Sequence, residues 1–198
     1  MALPPDLLRE ISREAMLELP IYRYEGEIRL IESAQALERA AADIFQEEAL
    51  GFDTETRPAF RKGESHPPAL AQVATARAVY LFPLQRLDFS QTLGELLAER
   101  AIVKAGVALA EDLRQLQGLF AFEPAAVTDL GHVAKRHGLK QTGVRNLAGI
   151  FLGARITKGA KTTNWAARRL TQQQMTYAAT DAWICRELYL RFRELELL

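Results

Sequence analysis

Residues 49–56 read ALGFDTET, a short apolar run that passes into alternating apolar and polar residues. This pattern predicts a β-strand that enters the core and leaves it again at its carboxyl end. Two further strand-like runs follow, LAQVAT (70–75) and AVYLFPL (78–84), separated only by Ala76 and Arg77. Three consecutive strands with such short connections predict a meander.

Outward from the meander, IRLIES (28–33) and AIVKAGVA (101–108) are also typical of strands, and a helical pattern follows each of them. From Asp129 onward the pattern is helical almost throughout. Strands first, then strand and helix in alternation, then helices: this order predicts a single α/β domain with a mixed five-stranded sheet flanked by helices. We assign that domain to residues 28–198 and a leader helix with its extension to 1–27.

Composition and charge narrow the class of protein. Lys and Arg together number 25, and so do Asp and Glu, so no net charge attracts nucleic acid or anionic lipid to the whole molecule. The start MALPPDLLREISRE carries prolines and acids where a secretory signal would need a basic start and an apolar run, and no stretch approaches membrane-spanning length. We therefore expect a cytoplasmic protein without a membrane partner. Cys185 is the only cysteine, which excludes an internal disulfide and a thiolate zinc cluster.

Four acids and one tyrosine occupy positions that suit a shared site. Asp53 and Glu55 are two residues apart on the predicted strand, so their side chains face the same way. Asp112 follows the carboxyl end of a predicted central strand, where α/β sheets place ligands. Asp181 lies one helical turn after Tyr177. Each acid alone has an ordinary alternative, as a solvated strand end or as a partner of a helix dipole.

Four converging carboxylates would destabilise the fold unless a multivalent cation neutralised them. Oxygen ligands without sulfur or nitrogen favour a hard ion, Mg²⁺ or Mn²⁺. Two such ions can stabilise the entering and leaving oxygens of phosphodiester hydrolysis. The acids therefore suggest a two-metal hydrolytic site.

The segments GFDTE (51–55), AGVALAEDLRQL (105–116) and YAATDAWICREL (177–188) together resemble the three motifs of the DEDD superfamily of 3′-5′ exonucleases. The resemblance is greatest to ribonuclease D and the exonuclease domain of the Werner syndrome helicase. It implies a ribonuclease H-like fold, two divalent metal ions and removal of nucleotides from a 3′ end. The residues that match the catalytic and metal-binding positions are Asp53, Glu55, Asp112, Tyr177 and Asp181.

The tyrosine distinguishes two subclasses of this superfamily. The sister subclass has a histidine five positions before its final acid, where this chain has Thr176. A phenol with an ordinary pKa of about 10 is neutral at pH 7, so Tyr177 is better suited to orienting the attacking water than to removing its proton. The resemblance also implies that Glu55 contacts the terminal 3′ hydroxyl.

A basic run, ARITKGAKTTNWAARRL (154–170), supplies candidates for binding the nucleic acid substrate. We predict phosphate contacts from Lys158, Lys161 and Arg168, and base stacking from Trp165. The alternative for Trp165 is a ring packed into the core. Arg57, which follows the first motif, is a further candidate, with loop solubility as its alternative role.

These observations together predict a metal-dependent exonuclease that releases nucleoside 5′-monophosphates from the 3′ end of DNA or RNA. Two alternatives remain open. The chain could be a non-catalytic nucleic-acid-binding module of the same fold, or a nuclease that cuts internally.

Overall fold

The computed structural model describes residues 7–59, 61, 63–157, 159 and 163–198. Within that part of the chain the strands are β1 (Glu27–Leu30), β2 (Ala49–Thr56), β3 (Pro68–Ala74), β4 (Ala78–Pro83), β5 (Val103–Gly106) and β6 (Val127–Asp129). The helices are α1 (Arg13–Glu18), α2 (Ala34–Ile44), α3 (Ser90–Ala98), α4 (Leu109–Gln117), α5 (Leu130–Arg136), α6 (Val144–Leu152) and α7 (Gln172–Glu194). None of these helices combines the length and apolar character needed to cross a bilayer.

The strands form one mixed sheet in the order β1-β4-β3-β2-β5-β6. Strands β2, β3 and β4 pair antiparallel, which confirms the predicted meander, whereas β1, β5 and β6 each pair parallel with a neighbour. The described sheet has six strands rather than the predicted five. The strand missed was β6, because three partly exposed residues form no recognisable apolar run.

Side-chain caps explain where several helices begin. Ser33 accepts a hydrogen bond from the backbone at the start of α2, and Asp129 does the same for α5. Thr171 and Gln174 form a reciprocal capping box at the start of α7. Ser90 is the first residue of α3, and the carboxylate of Asp88 accepts its backbone N–H.

The leader is less helical than its apolar pattern suggested. Helix α1 covers only Arg13–Glu18 and buries none of its residues. The following segment, residues 20–24, runs alongside the chain at Arg155 and forms an isolated parallel bridge there through Ile21.

The two faces of the sheet carry different layers. Phe52 is buried on one face together with residues of α2, α3 and α4. On the other face α7 lies across β2, β3 and β4, and α5 and α6 pack beside it. At Gly51 the approach is so close that a Cβ atom would lie 1.9 Å from the carbonyl oxygen of Ala182. Glycine is therefore required there, and its absent side chain lets α7 lie directly over the strand that ends in Asp53 and Glu55.

Candidate active site

Three acids from β2 and α7 meet above the carboxyl-terminal half of β2. Asp53, Glu55 and Asp181 each offer a carboxylate oxygen, and these oxygens all lie within 4.8 Å of one another. Hard cations bind carboxylate oxygens at about 2.0–2.6 Å, so one ion can reach all three. The donor set, oxygen alone, fits Mg²⁺ or Mn²⁺ better than zinc.

Asp112 lies beside this cluster rather than within it. Ala108 has left-handed backbone angles, φ 60° and ψ 35°, and starts α4 directly after β5, which brings Asp112 to the edge of the site. The hydroxyl of Thr54 donates a hydrogen bond to Oδ1 of Asp112. The structure therefore groups three of the four predicted acids and places the fourth against the neighbouring residue of β2.

Two of the carboxylates in this site, those of Asp53 and Asp112, resist ionisation. Burial, followed by the charges of Asp181, Glu55 and Asp112, raises the pKa of Asp53 well above its usual value, although the Thr54 N–H donates to Asp53 at 2.9 Å. Burial also raises the pKa of Asp112, opposed by its hydrogen bond from Thr54. Because like charges are confined in a poorly solvated place, binding of a divalent cation would lower the free energy of the folded state.

Tyr177 stands next to these acids as a neutral phenol. Burial raises its pKa, and the charges of Asp181 and Glu55 and a hydrogen bond to Asp181 add to that effect. The ring of Trp165 lies 6.0 Å from the Tyr177 ring, centroid to centroid, and so supports it from one side. A protonated hydroxyl held in place can donate or accept a hydrogen bond, but it cannot act as a strong base at neutral pH.

A cavity of about 490 Å³ opens over the cluster. The acids of β2 and α7, Tyr177 and the thiol-bearing Cys185 line part of its wall. The start of α6 lines another part, through Gly143, Val144, Arg145 and Asn146. This volume is in the range of small-molecule sites and is large enough for a nucleotide.

Arg145 and Asn146 were missed from the sequence, where α6 was noted only as part of a glycine-interrupted helical region. Nε of Arg145 is buried without a hydrogen-bond partner among the described residues, and the charge of this arginine lowers the pKa of Tyr177. A signal was present, because a cation in the first turn of a helix opposes the helix dipole and needs another reason to be there. An anionic ligand in the cavity would supply that reason.

The residues predicted to contact the substrate differ in their exposure where the structure describes them. Arg57 is exposed directly after the end of β2, and Arg168 is exposed before α7, next to a separate cavity. Trp165 is only 2% exposed, as the packed alternative expects, so the stacking predicted for it finds no open ring face. Lys158 and Lys161 lie outside the described residues.

Comparison with known proteins agrees with this geometry. A family model described as 3′-5′ exonuclease matches residues 28–195. The chain belongs to this exonuclease family. The match covers every residue of the site and all six strands except the first residue of β1.

The individual relatives are longer proteins, and this chain matches one region of each. Ribonuclease D of Haemophilus influenzae is 34% identical over 148 residues, covering 73% of this chain and 36% of that protein. The Exonuclease mut-7 homolog of Aedes aegypti is 25% identical over 190 residues, covering 83% of this chain and 26% of that protein. The chain thus spans well under half the length of either relative.

The fold also matches that of a solved structure. The Nibbler EXO domain of Aedes aegypti superimposes with a TM-score of 0.77 at 22% identity, covering 88% of this chain and 92% of that one. At this identity the likeness establishes a shared fold. It agrees with the mixed sheet and flanking helices predicted from the sequence.

Proposed function

We propose that this chain is a metal-dependent 3′-5′ exonuclease of the tyrosine subclass, which hydrolyses the terminal phosphodiester bond of a nucleic acid. The observation that carries the proposal is the meeting of Asp53, Glu55 and Asp181 within 4.8 Å, with Tyr177 beside them. Carboxylates this close have no structural benefit without a cation, whereas a divalent-metal nuclease requires them. The family match to 3′-5′ exonucleases supports this interpretation.

Each residue then has a defined task. Two divalent ions, Mg²⁺ or Mn²⁺, held by Asp53, Glu55, Asp112 and Asp181, would supply Lewis acidity to the attacking water and the leaving 3′ oxygen. Tyr177 orients the attacking water by hydrogen bonding, because its phenol stays protonated. Glu55 contacts the terminal 3′ hydroxyl, and Thr54 holds Asp112 in position.

Basic side chains in and around the site bind the phosphates of the substrate. Arg145 lines the catalytic cavity, and its Nε has no hydrogen-bond partner in the part of the chain that the structure describes. We therefore assign it the phosphate nearest the metals, with Asn146 beside it. Arg57, exposed just after β2, and Arg168, exposed just before α7, suit phosphates further from the 3′ end of the nucleic acid. Lys158 and Lys161 stay candidates for the same role from the sequence alone.

The test is shortening of 5′-labelled single-stranded RNA and DNA oligomers in Mg²⁺ or Mn²⁺, with and without a chelator. We expect a ladder of shortened products, release of nucleoside 5′-monophosphates and no reaction in chelator. The Asp181→Asn variant should react on the order of 100-fold more slowly or worse, since it removes electrostatic stabilisation from the transition state. Glu123→Gln, at an exposed acid between α4 and β6, is the matched control and should retain full activity.

Two results would contradict the proposal. Oligomer binding without shortening in either metal would identify a non-catalytic nucleic-acid-binding module. Cleavage of circular single strands would identify an internally cutting nuclease, because a circle has no 3′ end.

A further inference from the structure

A second cavity, of about 270 Å³, lies next to the catalytic one. Tyr177 lines both cavities, so the two spaces share part of a wall. Tyr22, Arg23, Gln173 and Thr176 are among the other described residues that line the second cavity. None of the described lining residues is acidic, in contrast to the catalytic cavity with its carboxylates.

Backbone hydrogen bonds hold the segment that carries Tyr22 and Arg23. The Tyr22 N–H donates to the carbonyl oxygen of Arg155 at 3.0 Å, and the Arg155 N–H donates to that of Pro20 at 2.9 Å. Two residues further on, the Tyr24 N–H donates to Oγ1 of Thr180 on α7 at 3.0 Å. Residues 20–24 are therefore tied to the chain at Arg155 and, through Tyr24, to α7, which reduces the entropy lost when a ligand binds there.

The side chains of this segment suit a nucleotide. The Tyr22 ring stacks on Trp183, with centroids 6.4 Å apart and planes 22° apart, and the residue is still 41% exposed. One side of the ring is thus supported while part of it remains open to a ligand. Arg23 is exposed and offers a cation for one phosphate, and Gln173 and Thr176 offer uncharged donors and acceptors for a base or sugar.

We propose that this cavity binds the second nucleotide from the 3′ end of the substrate, with its base on the Tyr22 ring and its 5′ phosphate on Arg23. The inference rests on the proposed exonuclease function. The bond that is cut joins the terminal nucleotide to the second one, so these two nucleotides lie on opposite sides of the reacting phosphate. Tyr177, which stands at the acids, lines both cavities, so we assign the terminal nucleotide to the catalytic cavity and the second nucleotide to its neighbour.

The first experiment is a cycle between protein and substrate, using kcat/KM for release of the terminal nucleotide. Oligomers carry a normal base or an abasic site at the second position from the 3′ end, and the variants are Tyr22→Leu and Tyr22→Phe. We expect Tyr22→Leu and the abasic site each to lower kcat/KM about tenfold, as loss of one base–aromatic stack does. Combined, they should lower it little more than either alone, because both remove the same contact. Tyr22→Phe keeps the ring and should restore most of the activity that Tyr22→Leu loses.

The second experiment removes the charge. Arg23→Ala should raise KM and make the dependence of log(kcat/KM) on log[salt] shallower by about 0.7, the change expected for one phosphate contact of a single strand. Arg100→Ala, an exposed arginine between α3 and β5 that lines none of the cavities described here, is the matched control and should leave the slope and the activity unchanged.

Failure of this inference and failure of the proposed function give different results in these experiments. Independent, multiplicative losses for Tyr22→Leu and the abasic second nucleotide would overturn it, and so would coupling of Tyr22 to an abasic terminal nucleotide instead. If the unmodified protein binds oligomers without shortening them, the proposed exonuclease function fails. The same cycle is then measured as Kd, with the same two outcomes for the second cavity.

Discussion

At the scale of single residues, Asp53 shows the conflict between stability and chemistry most directly. Its carboxylate is poorly solvated and surrounded by the charges of Asp181, Glu55 and Asp112, so its pKa is raised. A carboxylate in this position destabilises the metal-free fold at neutral pH and becomes favourable only when a cation binds.

Asp53→Asn should therefore stabilise the metal-free protein. In the unmodified protein the folded state binds the Asp53 proton more tightly than the unfolded state, whose aspartate pKa is about 3.9. The free energy of unfolding thus falls as pH rises from about 4 through the raised pKa. The asparagine does not titrate, so Tm in chelator should rise by about 2–4 °C at pH 7, equivalent to roughly 1 kcal/mol. The gain should shrink towards pH 4.

The control for this comparison is Glu123→Gln, which removes an exposed acid and should leave Tm nearly unchanged at both pH values. A Tm for Asp53→Asn below that of the unmodified protein in chelator at pH 7 would contradict the argument. Saturating Mn²⁺ should reverse the order, because the variant has lost a ligand.

Much of the site at this scale could be predicted from sequence spacing. Asp53 and Glu55 share a strand face because alternate residues of a strand point the same way. Tyr177 and Asp181 share a helix face because residues four apart lie one turn above each other. The hydrogen bond from Thr54 to Asp112 could not be predicted, since it joins side chains 58 residues apart. Arg145 was missed although a cation in the first turn of a helix is a signal, because only tertiary packing shows that this turn of α6 faces the acids.

At the scale of secondary structure, the contact between β2 and α7 sets the distance between the acids. Asp53 and Glu55 come from the strand, whereas Tyr177 and Asp181 come from the helix. The absent side chain of Gly51 lets the helix backbone approach the strand, so this glycine controls the site without contacting a ligand.

Gly51→Ala should impair both folding and catalysis. The new methyl group would lie 1.9 Å from the Ala182 carbonyl oxygen and 2.8 Å from the Arg186 nitrogen, both backbone atoms that move only with the helix. We expect the free energy of unfolding to fall by about 3 kcal/mol, the upper part of the range for overpacking. Activity of the remaining folded protein should fall by about 100-fold, because a shift near 1 Å misplaces Asp181 relative to Asp53.

Gly94→Ala in α3 is the matched control, since its Cβ atom would meet nothing nearer than 3.4 Å. In a helix interior this change should be neutral or stabilise by up to about 1 kcal/mol. Urea denaturation and oligomer shortening measure both variants, and an active, fully stable Gly51→Ala protein would contradict the role given to this contact.

Elements with long regular patterns were predicted well, and short ones were not. The meander has strong apolar runs with brief connections, and the structure confirms it. Strand β6 has three residues and owes its strand conformation to pairing with β5, so it leaves no pattern of its own. The leader helix is short, covering only Arg13–Glu18, because none of its residues is buried to support a longer helix.

At the scale of the whole molecule, the proposed metal binding would couple regions far apart in the chain. Asp53 and Asp181 come within reach of one cation only when the sheet and α7 are packed together, so an ion held there would bind the folded state and not the unfolded one. Because the chain has a formal net charge of zero, its overall charge does not attract divalent ions. Any effect of these ions on stability should therefore come from the local cluster of acids.

Mn²⁺ should therefore raise Tm of the unmodified protein. A concentration of 100 times Kd stabilises the folded state by about 2.7 kcal/mol, which corresponds to a rise of about 5–10 °C for a chain of this length. Asp181→Asn should lose most of this rise, whereas Glu123→Gln should keep it. An equal rise in Asp181→Asn, measured by calorimetry at matched ionic strength, would place the ion elsewhere.

The placement of the acids on β2 and α7 also bears on when the proposed activity can first appear during synthesis. A ribosome makes Asp53, Glu55 and Asp112 before Tyr177 and Asp181, and the α7 residues that cover Gly51 come later than every strand of the sheet. A growing polypeptide thus has three of the four acids but neither the last acid nor the tyrosine, so under the proposed function it cannot cut nucleic acid until the helix has docked.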